Sequence, residues 1–259
     1  MRKNEKTPEQ WDREAAEKTI TQLKEQLLQA QRLTAIGELA GTTTHEFNNI
    51  LMTIINYAKL GLRHSDNETR TKSLDKILTA ANRAAKVTST ILGMARNRKK
   101  GLEPTQLKPI IEDALILLER EMNKYHIHVE TEFNDVPEIL ADGNQIQQIL
   151  FNLLINARQA MPNGGRLIIK LSHDSLNKTV NLMIRDFGTG IEQEKLPMIF
   201  EPFYTTKSGP DESGKGGTGL GLSACRQIIE AHSGKIRVES AVGKGTAFTM
   251  KFPASTPRT

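Results

Sequence analysis

Gly217-Thr218-Gly219-Leu220-Gly221-Leu222-Ser223 decides how this chain is read. A glycine run that opens a helix lets backbone N–H groups approach an anion with no Cβ in the way. The run closes a segment, Ser208-Gly-Pro-Asp-Glu-Ser-Gly-Lys-Gly-Gly217, that is too polar and glycine-rich to pack. That segment reads as a mobile lid hinged at Lys207 and Gly217. Three further elements precede it in order: Asn152-Leu-Leu-Ile-Asn156-Ala157, Asp186-Phe-Gly188-Thr-Gly190 and Phe200-Glu-Pro-Phe203-Tyr-Thr-Thr206-Lys207. One glycine run is a weak signal; four ordered elements within about seventy residues are a strong one.

Each element has a bland reading beside its chemical one. Asn152 and Asn156 lie one turn apart on one helix face. Their neutral amide oxygens suit Mg²⁺, although two surface asparagines would look the same. Asp186 ends an apparent strand, where a carboxylate accepts a hydrogen bond from an amino group of a base or simply closes a turn. Lys207 and Lys215 are either phosphate contacts or solvated loop lysines. Upstream, His45-Glu46-Phe47-Asn48-Asn49 sits on a helix. It starts like a zinc-protease motif, but position 49 is asparagine, so the second zinc ligand is missing.

Together these stretches resemble the N, G1, F and G2 boxes and the phosphoacceptor box of two-component sensor histidine kinases. The resemblance covers roughly residues 33–253, and its nearest flavour is the subgroup that includes nitrogen-regulation kinases. It implies a helical hairpin dimerising as a four-helix bundle, followed by an α/β sandwich of the GHKL (Bergerat) ATPase type. It implies ATP and Mg²⁺ as cofactors. It gives His45 the role of nucleophile, Glu46 that of base, and Asn49 the alignment of water for dephosphorylating a partner receiver. Asn156, with Asn152, would hold Mg²⁺. Asp186 would read adenine, and Gly188, Gly190, Lys207, Gly217, Thr218, Gly219, Leu220, Gly221 and Thr246 would line the nucleotide. The family often places a lysine three residues after the second asparagine; here that position is Gln159, beside Arg158.

Other motifs fail on context. Asp186-Phe-Gly188 lacks the His-Arg-Asp loop and lysine-bearing strand of Ser/Thr/Tyr kinases. Gly219-x-Gly221-x-x-Ala224 follows a loop where a dinucleotide fingerprint wants a strand. Every Gly-Lys pair lacks the Ser or Thr of a Walker A sequence. Related ATPases without phosphoacceptor chemistry, and a coiled-coil scaffold with a vestigial nucleotide domain, are the rival functions. The His45-Glu46 box argues against the first and the intact glycines against the second.

Organisation follows hydrophobic spacing. Residues 9–62 read as one helix, with seams at Ile20, Leu23, Leu27 and Ala30, then from Leu33 through Ile36, Ala40, Thr43, Phe47, Ile50, Ile54 and Tyr57. His45 falls off that seam. Arg63–Asn67 breaks the pattern, and Leu74, Ile77, Ala81, Ala84, Thr88, Ile91 and Ala95 resume it. Two half-apolar helices need a second copy to cover them. Helices are predicted at 107–123, 144–161 and 219–232, and strands at 126–133, 166–172, 179–185, 236–239 and 246–252. The expected units are an N-terminal helical extension at 1–32, the dimerisation and phosphotransfer hairpin at 33–97, a linker at 98–104 and the ATP-binding domain at 105–259.

The 259 residues carry 35 basic and 30 acidic side chains, a net charge of +5. The signs are interleaved and the one basic run, Arg96 to Lys100, has no aromatic partners, so no nucleic-acid partner is expected. No apolar run reaches the roughly 18 residues of a membrane span, and no signal peptide follows Met1. The single cysteine, Cys225, fits a reducing cytoplasm. The expected partners are a second copy, a response-regulator receiver and a separate sensory protein supplying the input.

Overall fold

The computed structural model describes residues 19, 47–95, 101–206 and 219–255. His45, Glu46, Lys207, the lid, Gly217, Thr218 and, apart from Thr19, the N-terminal extension lie outside the described residues.

Residues 47–63 form helix α1, and α2 runs over Asn67–Ala95. The predicted break is a short turn between them. Asp66 starts α2 by accepting the Thr69 N–H on Oδ1 at 2.7 Å, and Arg70 Nε reaches back to the His64 carbonyl at 3.0 Å. A side-chain acceptor there satisfies a donor the helix leaves without an internal partner.

The second unit holds β1 (Glu103–Thr105), α3 (Leu107–Lys124), β2 (Ile127–Phe133), β3 (Ile139–Ala141), α4 (Gly143–Ala160), β4 (Gly165–Asp174), β5 (Thr179–Asp186), α5 (Gly221–Ala231), β6 (Lys235–Ala241) and β7 (Gly245–Pro253). Five strands make one sheet in the order β2-β4-β5-β7-β6. Only β2 and β4 pair in parallel; the chain between them crosses over through α4, as parallel neighbours require. The β4–β5 pair is an antiparallel hairpin that sets Leu167 opposite Asp186.

Alternation along the central strands turns Leu167, Ile169 and Leu171, Val180, Leu182 and Ile184, and Met250 and Phe252 to one face. Ile111, Ala114 and Leu118 of α3, Ile149, Leu150 and Phe151 of α4, and Cys225, Ile228 and Ile229 of α5 bury against them. This is the two-layer α/β sandwich expected. The small β1–β3 ladder is a difference: it pairs Glu103 with Ala141 and so ties residues expected in the linker to the ATP-binding unit. Strands of three residues carry no readable alternation.

Within one chain the hairpin buries Ile50, Ser73, Ala80 and Val87. Of the stripe read from the sequence on α2, Leu74 is 66 % exposed and Ile77 and Ala84 are half-buried, and the neighbouring Leu78 is 61 % exposed. Leu51, Met52, Ile55 and Leu62 on α1 are exposed too. Such a contiguous apolar surface is costly to leave in water. The expected outcome is a dimer by light scattering at micromolar concentration, and a monomer when Leu74→Glu and Leu78→Glu are combined. A monomeric parent would refute the bundle.

Candidate functional site

The cavity that matters lies between the C-terminal end of α4, the end of β5 and the start of α5. It has a volume of about 300 Å³. Its wall takes Asn156 and Gln159 from α4, Asp186 from β5, Gly219 and Gly221 from the glycine turn, and Thr246 from β7.

Asp186 is only 4 % exposed. Its Oδ1 accepts N–H bonds from Gly188 at 2.9 Å and Thr246 at 3.2 Å. Burial pushes the carboxyl above its usual pKa, and the Gly188 and Thr246 N–H groups pull it partly back. The backbone wraps this carboxylate closely. Gly190 and Gly219 adopt φ of +71° and +67°, where L side chains are strained. A Cβ at Gly190 would also strike the Ala241 carbonyl, and one at Gly219 the backbone of Phe203. The turn after Asp186 is pinned on both sides: Thr189 N–H donates to Ala160 O at 3.0 Å, and Gly243 N–H donates to Thr189 O at 2.8 Å.

The structure brings together most of the sequence-selected residues that it describes. Phe203 N–H donates to Gly219 O at 3.0 Å, which joins the Phe200–Phe203 element to the glycine turn. Leu220 precedes α5, and its carbonyl accepts the Ser223 hydroxyl at 2.9 Å. Leu220 and Gly188 adjoin the cavity without lining it. Thr246 Oγ1 lies 2.9 Å from Ser240 Oγ, and Ser240 Oγ in turn accepts the Ile191 N–H at 2.8 Å. Sequence reasoning missed Ser240, as well as Tyr204, Ile191 and Ile199 of the wall. Ser240 carries no motif signal, because its role exists only once β6 and β7 pair.

Asn152 is placed differently from Asn156. Its amide nitrogen donates to Gly221 O at 3.2 Å and to Cys225 Sγ at 3.7 Å, so it braces α4 against α5 and does not line the cavity. The Cys225 thiol is buried and its pKa pushed up to about 12, which fits a packed group. Arg158 turns away and stacks on the Tyr125 ring at 4.8 Å, while Gln159 faces the cavity. On the hairpin, Asn49 is exposed. It borders a separate groove with Lys76 and Arg83 of α2 and Arg120 of α3, where Arg83 pairs with Glu119 at 2.9 Å.

The groups present fit a magnesium nucleotide. A buried acceptor suits an amino-bearing base, a glycine turn opening a helix suits phosphates, and the Asn156 amide offers a hard oxygen.

Comparison with known proteins agrees. Residues 141–256 match the family described as histidine kinase-, DNA gyrase B- and HSP90-like ATPase, and residues 35–100 match the His Kinase A (phospho-acceptor) domain. The chain is 37 % identical over 246 residues to sensor kinase CckA of Brucella abortus, covering 89 % of this chain and 25 % of that protein. It spans all of the solved catalytic domain of histidine kinase ThkA at 31 % identity and a TM-score of 0.53, with 61 % of this chain covered. ThkA in complex with response regulator protein TrrA aligns with 90 % of this chain and 66 % of that one, at 27 % identity and a TM-score of 0.50. The chain therefore belongs to the sensor histidine kinases of two-component systems. It spans about a quarter of the length of CckA and about half that of another curated relative, sensor histidine kinase ZraS of Escherichia coli.

A carboxyl whose pKa is raised by folding stabilises the fold fully below its unfolded pKa, about 3.9, and loses that contribution as pH rises through the folded value. At neutral pH the buried Asp186 carboxylate therefore works against the empty fold. Asp186→Asn is expected to melt at or above the parent temperature at pH 7, with the gain gone at about pH 3. The same variant should bind Mg²⁺–ATP more weakly by roughly 1–3 kcal/mol. Thermal scans and titration calorimetry check both signs; unchanged affinity removes Asp186 from the site.

Proposed function

We propose that this chain transfers the γ-phosphoryl group of ATP to His45 and passes it to an aspartate on a separate response-regulator receiver. The observation that carries the reading is the buried Asp186 carboxylate set in one wall with Asn156 and the Gly219 turn. No described helix is long and apolar enough to cross a membrane, which suits action in the cytoplasm.

In the proposed reaction a neutral His45 ring nitrogen attacks the γ-phosphorus. An N–P bond forms, the bond to the bridging oxygen breaks, and ADP leaves with that electron pair. Glu46 holds and accepts the proton of the other ring nitrogen. Asp186 and Thr246 fix the base end, and Gly219, Gly221 and Lys207 receive the phosphates. Asn156 would hold Mg²⁺, which would neutralise charge on the phosphates, while Asn152 would steady α4 against α5 from outside the cavity. The proposed boundaries are an extension at 1–32, the hairpin at 33–97, a linker at 98–104 and the ATP-binding domain at 105–259, with a homodimer as the working unit; the two family matches at 35–100 and 141–256 support the middle and last. The ThkA–TrrA complex supports the receiver as partner.

Incubation with γ-labelled ATP is expected to label His45 with a bond lost in acid and kept in base, as for a phosphoramidate. An acid-stable label, or one that survives His45→Ala, rules the mechanism out.

Glu46 and Asn49 are three residues apart in the sequence, the spacing that puts two side chains on one face of a helix. Glu46→Gln should remove most autophosphorylation, by roughly 10²–10⁴-fold, because an amide accepts no proton. Asn49→Ala should leave autophosphorylation near the parent rate and impair dephosphorylation of the phosphorylated regulator. Both rates measured in both variants decide the matter; normal dephosphorylation by Asn49→Ala breaks the division of labour.

A further inference from the structure

His232 lies at the C-terminal end of α5 and is only 3 % exposed. Both of its ring nitrogens are used. Nε2 is 3.0 Å from the backbone N of Asp142, and Nδ1 is 2.7 Å from the Ile228 carbonyl. A backbone N–H only donates, so Nε2 must present its lone pair. The ring proton therefore sits on Nδ1 and is donated to Ile228 O. No other protonation state satisfies both contacts.

The two groups that this ring joins lie 90 residues apart in the chain. Asp142 is the N-cap of α4: its Oδ1 accepts the Asn144 N–H at 2.9 Å, and its carbonyl accepts N–H bonds from Gln145 and Ile146. Its own N–H points the other way, to His232. Asp142 is itself buried, so without the imidazole that donor would be left in the interior with no acceptor. Filling space does not explain this. The ring also meets Phe252 edge to face at 6.5 Å, a contact a phenylalanine would make equally well.

The helices that His232 connects are the two that bracket the phosphate end of the cavity. Helix α4 carries Asn156 about 20 Å from Asp142, at 1.5 Å per residue. Helix α5 begins at Gly221, about 16 Å from His232 on the same measure. The pair is antiparallel and is hydrogen-bonded near both ends, with a longer Cys225 Sγ to Ile149 O contact of 4.0 Å between them. Asn152 Nδ2 to Gly221 O is the tie near the cavity, and Asp142 N to His232 Nε2 is the tie at the far end. A helix is stiff along its axis, so a tie at one end fixes the axial position of the other. Two ties also prevent the helices from pivoting about the first. The base end of the cavity is on neither helix, since Asp186 and Thr246 belong to β5 and β7.

We infer that His232 is a positioning residue for the nucleotide site, holding α4 and α5 in one register through the Nδ1–H tautomer of its imidazole. The inference rests on the proposed reading of the cavity as a Mg²⁺–ATP site. Its effect falls on the phosphates, which lie between Asn156 and the glycine turn, and spares the base.

The test uses the full chain as parent, His232→Phe and His232→Gln, with adenosine and Mg²⁺–ATP as titrants. Phenylalanine keeps the ring and the Phe252 contact but loses both bonds. Glutamine restores an acceptor for Asp142 N–H and a donor for Ile228 O. His232→Phe is expected to bind adenosine like the parent and Mg²⁺–ATP roughly tenfold more weakly, the size of one lost buried hydrogen bond. His232→Gln should recover most of that loss. Equal weakening toward both titrants would mark a general structural role, and unchanged binding of both would mark no role; either overturns the inference. A parent that binds no Mg²⁺–ATP fails the ATP reading itself, a separate result. If His232→Phe does not fold, the glutamine variant and the ¹⁵N spectrum of the parent ring decide: a proton on Nε2, or loss of Mg²⁺–ATP selectivity in His232→Gln, overturns it.

Discussion

A carboxylate taken out of water organises this molecule. Asp186 sits at the end of a central strand with two backbone N–H groups, those of Gly188 and Thr246, on one oxygen. Gly245 at φ +84° passes over the Asp186 carbonyl, and Gly188 abuts the Ala160 carbonyl, so the tightest backbone approaches beside the acid fall on glycines. Burial raises the cost of charge at Asp186, the Gly188 and Thr246 N–H groups offset part of it, and a donor such as the amino group of a base would offset more.

The four motif elements were legible because each combines a rare residue type with a local geometric demand. Glycines mark backbone that must approach something, and paired asparagines at helical spacing mark one face. The helices and the five-stranded sheet were legible because their periods run long enough to count. Elsewhere the information was spread across the chain. Ser240 reaches Thr246 of the cavity wall only through the β6–β7 register, and Asn152 shares a helix face with Asn156 yet packs on α5, because α5 crosses α4 one turn before the cavity. Periodicity could place both asparagines on one side but could not tell which part of that side another helix would cover. Arg158 against Gln159 is the same case, settled by a ring at Tyr125 that lies far away in sequence.

His232 illustrates a second limit. A lone histidine at a helix end carries no motif. Its partner is a backbone N–H, which sequence patterns never display. Only the geometry shows that one tautomer is required, and that the two helices bracketing the cavity are tied at their far ends as well as their near ones.

The union of the two units looks different from the interior of either. Ile50, Ala80 and Val87 of the hairpin join the apolar core of the chain, and Arg83 pairs with Glu119 across the seam, their side chains 35 % and 53 % exposed. A half-exposed pair of this kind contributes little, on the order of 1 kcal/mol or less. Small, partly polar contacts between units of one chain allow relative motion by default. The proposed reaction needs that property. In that proposal the nucleotide would bind on α4, α5 and the sheet, the acceptor His45 precedes Asn49 by four residues in the sequence, and a receiver would later take the place of the nucleotide at that histidine. A rigid apolar seam would fix one of those arrangements and exclude the other. A seam with partly exposed polar contacts would let both occur in the proposed cycle, while the buried carboxylate and the hydrogen bonds between α4 and α5 would hold the cavity together.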